Sequence, residues 1–407
     1  MLPSPLLLLL TELPEGARIP LAMLIVFGTA KVFAELFERI GQPGLVGEIL
    51  AGVLIGPSVL NWIQPSAFLT ALADLGAMFL LFRVGLEVKA SELLKVGGTA
   101  MLVATLGVIV PQFLGWAIMR AWGAPQIEAI FVGAAMVATS VGITAQVLSA
   151  KGLLHHKAAQ IILAAAVIDD VLGLLVLAVV SSMAKGQVNL LAILFTTVMA
   201  AGFTLLVAVL GTRAMNHVLP RVTQTLRAGE VQFNFAMILL FGLALMAVFT
   251  GVAAIIGAFL AGMATGEGVN QRVRDLAHGV TELLVPFFLA GIGLHLDVRA
   301  FTSLPVILLA LVILAAAVVS KLIGCGLGAW SLGKADMLRV GFGMVPRGEV
   351  GMVVAQLGLA MGVIAANVYG VVVFMAVATT LVAPLLLNIA FKGVGPLEPP
   401  AQDFHLG

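Results

Sequence analysis

The stretch Ile161–Val180, IILAAAVIDDVLGLLVLAVV, places two adjacent carboxylates inside an apolar run. Its length matches the roughly 20 mostly apolar residues that a helix needs to span a bilayer. The run contains no Lys or Arg to neutralise Asp169 and Asp170. A carboxylate at the bilayer centre costs roughly 2.5–3.5 kcal/mol on insertion scales, so such residues usually face a cavity and serve a function. The stretch therefore predicts a membrane-spanning helix that carries a functional acidic pair.

The composition of the whole chain is typical of a polytopic membrane protein. Of its 407 residues, 61% are hydrophobic and 10% are charged, whereas soluble proteins average about 45–50% and 25%. The formal net charge of +1 gives no electrostatic case for nucleic-acid binding. Cys325 is the only cysteine, so an intrachain disulfide is excluded.

Apolar segments recur along the chain and predict an all-α membrane protein with thirteen spans. They are 20–38, 45–62, 68–86, 96–119, 126–148, 157–183, 190–212, 231–250, 252–266, 276–296, 302–330, 336–361 and 367–391. The ninth is short for a full crossing. The Leu run of residues 6–10 lacks a basic leader, so we expect no cleaved signal peptide. We also expect no soluble domain and a short, Pro-rich cytoplasmic tail.

The basic residues predict the orientation of these spans. With the N-terminus outside, thirteen Lys and Arg residues fall in inner loops or the tail and four fall outside. Cytoplasmic loops are enriched in basic residues, so this bias places the C-terminus inside. We expect a multi-pass protein of the bacterial cytoplasmic (inner) membrane.

The two halves of the chain carry matched interruptions. Spans 1–6 and 8–13 form halves related by a connector, span 7, which places them in inverted orientation. The fifth span of each half has helix-weakening residues near its middle: Thr139, Ser140 and Gly142 in one, and Gly343, Pro346 and Gly348 in the other. Paired interruptions in inverted repeats indicate a secondary transporter with its site near the membrane midplane. The alternative is that Gly and Pro are simply common in membrane helices.

Lys321 lies well inside span 11 and is a candidate partner for an aspartate. A buried Lys is costly unless it is paired, and desolvation makes it release its proton readily. The pair is either a static tie between helices or a proton-exchanging device. A carboxylate that binds either H⁺ or a small hard cation predicts exchange at one site, because the bare negative site is costly to move through apolar protein.

Six ordered motifs resemble the cation/proton antiporters of the Kef and NapA type, most closely the NapA-like sodium/proton antiporters. They are QPGLVGEILAGVLIGP (42–57), LLFRVGLE (80–87), ATSVGIT (138–144), AAVIDDVLGL (165–174), IIGAFLAGM (255–263) and VPRGEVGMVVA (345–355). The resemblance covers nearly the whole chain. It implies an NhaA-like fold of two inverted six-helix repeats with two crossing discontinuous helices.

The resemblance also implies a division into domains and a homodimer. A dimer domain would comprise residues 1–95 and 231–300, and a core ion-translocation domain would comprise residues 96–188 and 301–392. Residues 189–230 would form a linker helix, and residues 393–407 a short cytoplasmic tail. The core would move against the dimer domain in an elevator-like manner. The implied substrates are Na⁺ or Li⁺ and H⁺, without a cofactor and with membrane lipid as surroundings, in a role in pH homeostasis.

Site residues carried over by position fall in spans 5, 6, 11 and 12. Asp170 resembles the essential ion-binding carboxylate, and Asp169 its neighbour paired with Lys321. Thr139 and Ser140 fall where the family's unwound helix faces the ion. The double aspartate implies electrogenic exchange of two protons for one Na⁺, with Asp170 and Asp169 as ligands of the transported ion.

Several charged residues call for separate interpretation. Arg83 departs from the apolar residue usual at its position, and we expect it to reach the interface and pair with Glu87, as Lys31 would with Glu35 one turn away. In the second broken helix, Arg347 and Glu349 are expected to support the structure. Arg347 would balance a half-helix dipole or pair with a buried acid, and Glu349 would do the reverse.

Other functions remain open on the sequence alone. A potassium/proton antiporter of the Kef type is the main alternative, although relatives of that type usually carry a nucleotide-binding domain, which we do not expect here. A sodium-coupled solute symporter would use the same inverted plan, and a channel would need a continuous polar lining. Enzyme activity is not expected, since no HExxH, GxSxG or Walker signature occurs.

Overall fold

The computed structural model describes residues 14–40, 42–184, 190–225, 230–301 and 303–395. Within these ranges the regular structure is entirely helical. The first eight helices are α1 (Glu15–Arg39), α2 (Gly44–Ile55), α3 (Ala67–Glu87), α4 (Ala90–Lys95), α5 (Gly97–Ala121), α6 (Gln126–Ala135), α7 (Val141–Ala150) and α8 (Lys157–Ala184). The other eight are α9 (Leu190–Thr225), α10 (Val231–Phe249), α11 (Ala254–Thr265), α12 (Gln271–Leu294), α13 (Leu304–Gly328), α14 (Lys334–Gly343), α15 (Glu349–Ala360) and α16 (Ala366–Ala390). The Leu run of residues 6–10 and the tail beyond residue 395 lie outside the described residues.

Nine helices in the described part of the chain are long and apolar enough to cross a membrane, and five more are apolar but shorter. The segments 126–148 and 336–361, each expected to be interrupted, are each divided into two short helices. The expected span 45–62 is shorter as a helix, because α2 ends at Ile55 and Gly56-Pro57 leads into an irregular segment. The total of thirteen crossings and the inverted relation of the halves stay predictions.

Local sequence signals account for the limits of several helices. Ser66 precedes α3, and its side chain accepts a hydrogen bond from the backbone N–H of Leu69. Asn270 does the same for Val273 at the start of α12. Such caps satisfy backbone donors that have no partner within the helix. They set where these long apolar helices begin.

The helices pack in two groups. The first group contains α1, α2, α3, α10, α11 and α12, and the second contains α5, α6, α7, α8, α13, α14, α15 and α16. The long helix α9 lies against α11 of the first group and α8 of the second. Small residues permit the closest approaches: at Gly262 of α11 a side chain would collide with the backbone of α3 at Phe82. Close backbone contact through small residues is how membrane helices associate where lipid competes for apolar side chains.

Candidate functional site

The two aspartates of α8 occupy different environments. Adjacent residues of a helix point about 100° apart, so the carboxylates do not face each other. Asp169 is almost completely buried, with 2% of its surface exposed. Asp170 is half-buried. One aspartate therefore belongs to the packed interior of the second group, while the other is accessible in part.

Lys321 of α13 lies opposite Asp169, the partner that the family resemblance implies. Its Nζ is 3.3 Å from Oδ2 and 3.4 Å from Oδ1 of Asp169. The Lys321 side chain is completely buried. Gly107 of α5 makes room for it, because an added Cβ there would lie 3.3 Å from Nζ and 2.7 Å from the Sγ of Cys325. The pair thus joins α8 to α13, and Gly107 of α5 leaves the space that the Lys321 side chain occupies.

The two interrupted helices meet at their breaks. The first break is 136–140, between α6 and α7, and the second is 344–348, between α14 and α15. The backbone N–H of Ser140 donates to the carbonyl of Pro346 at 2.8 Å, and Thr144 Oγ1 donates to the carbonyl of Gly343 at 2.6 Å. A Cβ at Gly348 would lie 2.6 Å from that of Ser140, so glycine is needed for the two chains to approach. Four half-helix ends converge here, which concentrates backbone dipoles at one place.

Arg347 supplies the positive charge of this crossing. Its guanidinium is fully buried and donates to the carbonyls of Ala317 at 3.1 Å, Val137 at 3.3 Å and Ala138 at 3.4 Å. Val137 and Ala138 follow the C-terminal end of α6, where carbonyls carry partial negative charge. These contacts favour the dipole-balancing interpretation of Arg347. Through Ala317, one turn before Lys321, they also link the crossing to the ion pair.

Two threonines that the sequence reading overlooked hold Arg347 in place. The backbone N–H of Arg347 donates to Thr379 Oγ1 at 3.1 Å, and Thr380 Oγ1 donates to the carbonyl of Arg347 at 2.8 Å. Both threonines are fully buried in α16. Adjacent hydroxyls in an otherwise apolar helix were the available signal, because a buried hydroxyl needs a partner.

The residues expected near the ion lie in the first break. Ser140 is buried, with 6% of its surface exposed. Thr139 is half-buried, and its Oγ1 has no hydrogen-bond partner among the described atoms although that atom is inaccessible to solvent. A buried hydroxyl without a partner requires an explanation such as a bound ion or water. Glu349 begins α15, and its side chain lies outside what the structure describes.

Lys31 and Arg83, two charged residues outside this site, each have an ion-pair partner that the sequence did not predict. Lys31 pairs with Glu48 of α2 at 2.9 Å, and the expected pairing with Glu35 is wrong, because Glu35 bonds Arg39 at 2.8 Å. Arg83 lies between two acids: Glu87 at 3.9 Å, as expected, and Glu282 of α12 at 3.8 Å. Tertiary neighbours on α2 and α12 therefore supply partners that spacing along one helix could not reveal.

The oxygen atoms available as ligands at the site suit a transported cation. The described residues contain no cluster of three or more His, Cys, Asp or Glu side chains that could hold a metal. A cation at the aspartates would thus complete its shell with hydroxyls, backbone carbonyls or water. Oxygen ligands of this kind suit hard cations, and carbonyls freed at a broken helix can supply them.

Several known proteins are similar to this chain in sequence, and one solved structure is similar to it in fold. A family model described as the transmembrane sodium/hydrogen exchanger matches residues 22–393. The chain is 33% identical over 376 residues to the Na(+)/H(+)-K(+) antiporter GerN of Bacillus cereus, covering 90% of this chain and 95% of GerN. It is 31% identical to the high-affinity Na(+)/H(+) antiporter NhaS3 of Synechocystis, covering 95% and 92%. The solved structure of the sodium proton antiporter MjNhaP1 from Methanocaldococcus jannaschii at pH 8 has the same fold, with a TM-score of 0.65 at 17% identity over 95% of this chain and 98% of that one.

Proposed function

This chain belongs to the sodium/hydrogen exchanger family, and on that premise we propose that it exchanges Na⁺, or Li⁺, for H⁺ at a site built on Asp170 and Asp169. The observation that carries the proposal is the buried Asp169–Lys321 pair, one residue from Asp170 and one turn from the carbonyl held by Arg347. Charged groups in a spanning helix are costly, and this pair lies beside two broken helices.

The exchange step follows from competition for Asp170. A proton and a hard cation both neutralise a carboxylate, so one loaded form excludes the other. Thr139 and the carbonyls of the first break would add oxygen ligands to the cation. The neutralised site crosses the apolar interior at lower cost than the bare carboxylate does. Obligatory exchange thus needs one site that is loaded in turn by each ion.

Lys321 would supply a second proton per cycle. When a cation draws Asp169 away, Lys321 is left charged in an apolar environment, which favours loss of its proton. When Asp170 is protonated on the return, the pair re-forms and Lys321 recovers a proton. Two protons would then move against one Na⁺, so each cycle transfers one net charge. Exchange of this kind is electrogenic.

The two helix groups would provide alternating access. The second group, with the site, would move as the core ion-translocation domain against the first group, which would form the dimer domain of a homodimer. Most helix–helix contacts fall within one group, with direct contacts between groups at α3–α7 and α2–α16, and this pattern and the linking position of α9 support the division. The protein would lie in the bacterial cytoplasmic membrane with its N-terminus outside.

The direct test is exchange in sealed liposomes that contain a proton-sensitive dye, with Na⁺, Li⁺ and K⁺ added in turn. The wild type should move protons on addition of Na⁺ or Li⁺. Asp170→Asn should abolish exchange without unfolding, because it removes the exchangeable charge at nearly constant volume. A monodisperse elution profile and an unchanged melting temperature would verify the fold.

Glu35→Gln provides a control, because Glu35 is an exposed acid on the spanning helix α1 of the other group. That variant should retain exchange. Sodium-dependent proton movement in Asp170→Asn would overturn the assignment of Asp170. A response to K⁺ as strong as that to Na⁺ would favour the potassium/proton alternative, which the name of GerN keeps open.

A further inference from the structure

A largely apolar cavity of about 530 Å³ lies between α8, α9 and α11 and extends to α4 and the start of α5. Its walls include Val167 and Val171 of α8, Leu260 of α11 and Ala208 of α9. The only polar side chains among its lining residues are Thr197 and Thr204. Its size falls in the range of about 300–1,000 Å³ that ligand sites occupy. A cavity so poor in polar groups suits a hydrocarbon ligand.

The mouth of this cavity faces the bilayer. The lining residues Met101 of α5 and Leu205 of α9 are 52% and 60% exposed, and both helices are long and apolar enough to cross the membrane. Exposed apolar side chains on spanning helices contact lipid chains. The medium that meets the opening is therefore hydrocarbon and not water.

The shape and depth of the cavity match half of a bilayer. Its lining on α9 runs from Thr197 to Ala208, a length of about 16 Å at roughly 1.5 Å per residue. The hydrocarbon core of a bilayer is about 30 Å thick, so one leaflet contributes about 15 Å. A single acyl chain that runs from the interface to the midplane would follow this length.

Basic residues lie at the interfacial end of the cavity. Lys89 directly precedes the lining residue Ala90, and Lys95 lies two residues before the lining residue Gly97. Lys95 is exposed. The acid of the same short helix, Glu92, accepts a hydrogen bond from Gln160 Nε2 at 2.6 Å and so is engaged with α8. Basic side chains at a membrane surface attract anionic lipid headgroups.

We propose that this cavity binds one acyl chain of an anionic phospholipid whose headgroup lies at Lys89 and Lys95. The chain would contact α8 at Val167 and Val171, which flank the two aspartates, and α11 of the other helix group. It would therefore bind both groups at once and stabilise the arrangement in which the cavity is open. Neither Asp169 nor Asp170 is among the lining residues of this cavity.

The test measures lipid binding by thermal stability and by native mass spectrometry on delipidated protein in detergent. The probe is a long-chain phosphatidylglycerol, compared with a short-chain phosphatidylglycerol and a long-chain phosphatidylcholine. A ligand that binds only the folded state raises the melting temperature in proportion to the logarithm of its concentration over Kd. We expect the long-chain anionic lipid to raise the melting temperature most and to remain bound as one molecule per chain.

Variants of α9 separate the cavity from the rest of the lipid-facing surface. Ala208→Phe fills the cavity and should abolish the stabilisation and the retained lipid. Leu206→Phe places the same aromatic side chain on the lipid-exposed face of the same helix, outside the lining, and should respond as the wild type does. Ala201→Phe blocks the cavity at another lining position, so the test survives if Ala208→Phe fails to fold. Lys95→Gln should reduce the preference for phosphatidylglycerol over phosphatidylcholine.

Three results would overturn the proposal. One is an equal melting-temperature shift in the wild type and in the folded cavity-filling variants, which would place the lipid elsewhere. Another is an equal effect of short-chain and long-chain phosphatidylglycerol, which would show that the headgroup alone binds. The third is an equal effect of phosphatidylcholine and phosphatidylglycerol in the wild type, which would remove the role of the two lysines.

Discussion

At the scale of single residues, removing one member of the Asp169–Lys321 pair should destabilise the fold more than replacing both members does. Removing one partner of a buried pair costs about 3–5 kcal/mol, because the other charge remains uncompensated. Replacing both members by well-packed hydrophobic residues of similar volume is often neutral for stability or stabilising. Stability alone is therefore a weak reason to keep the pair, which is consistent with the proposed role in proton exchange.

Lys321→Gln should remove the second proton and leave either no transport or electroneutral exchange. Each net charge couples to the membrane potential by about 2.3 kcal/mol per 100 mV, so its loss is measurable as current on a solid-supported membrane. Dye-measured exchange recorded alongside the current separates the two outcomes. Full current in Lys321→Gln would show that the pair is structural.

Two variants control this experiment. Lys31→Gln removes the lysine of another ion pair, Lys31–Glu48, and should keep its current because that pair lies in the first helix group. The double variant Asp169→Asn with Lys321→Gln leaves no unpaired buried charge. It should therefore fold even if Lys321→Gln alone does not.

At the scale of elements, the crossing of the two broken helices is held by one main-chain hydrogen bond and by buried side chains around it. The Ser140–Pro346 hydrogen bond is between main-chain atoms, so a side-chain change at Ser140 leaves it in place. Arg347 neutralises carbonyl ends of α6, and Thr379 and Thr380 fix its backbone. Of the hydroxyls at the first break, Thr139 Oγ1 has no partner among the described atoms.

Replacing Thr139 and Ser140 by Ala should raise the sodium concentration for half-maximal exchange more than it lowers the maximal rate. These hydroxyls would shape the ion site without carrying its charge. Thr139→Ser keeps the hydroxyl and should behave as the wild type does. The measurement is dye-monitored exchange over a series of Na⁺ concentrations.

Ser149→Ala controls for the loss of any buried hydroxyl. Ser149 Oγ also has no partner among the described atoms, but it lies near the far end of α7, away from the break. An unchanged half-maximal concentration in the Thr139 and Ser140 variants would count against their placement beside the ion. An equal change in Ser149→Ala would make the effect non-specific.

At the scale of the whole molecule, a cavity of about 340 Å³ separates the two helix groups at one end of the bundle. Ala73 of α3 and Gly291 of α12 line it from the first group, and Gln356 of α15 lines it from the second. Movement of one group against the other would change the distance between Ala73 and Gln356. It would leave the distance between Ala73 and Gly291 unchanged.

Chemical cross-linking across this cavity tests the proposed movement. The pair Ala73→Cys with Gln356→Cys, joined by a flexible bismaleimide, should stop exchange. The pair Ala73→Cys with Gly291→Cys should not, because both positions belong to the first group and a Cβ at Gly291 lies 3.3 Å from that of Ala73. The native Cys325 is fully buried and should not react. Exchange that survives the cross-group link would contradict the elevator movement.

The sequence by itself predicted an all-helical membrane protein and the residues of the candidate site. Long apolar segments require helices in a membrane, because backbone polar groups have no partners in lipid. The acids of α8, the lysine of α13 and the interruptions with Gly and Pro were visible because each breaks an apolar pattern. The cost of a lone buried charge predicted that Lys321 pairs with an aspartate, and the family resemblance implied that this aspartate is Asp169.

Only the tertiary structure decided which groups meet across helices. Lys31 forms its ion pair with Glu48 and not with Glu35, and Arg83 has Glu282 as an additional partner. Acids on neighbouring helices lie as close to these residues as acids one turn away do. Arg347 is satisfied by carbonyls and by Thr379 and Thr380, which no spacing along the chain connects to it. The cavity beside α8 likewise arises from how three helices pack. Helical periodicity fixes a residue's face, but the partner of that face is set by long-range packing.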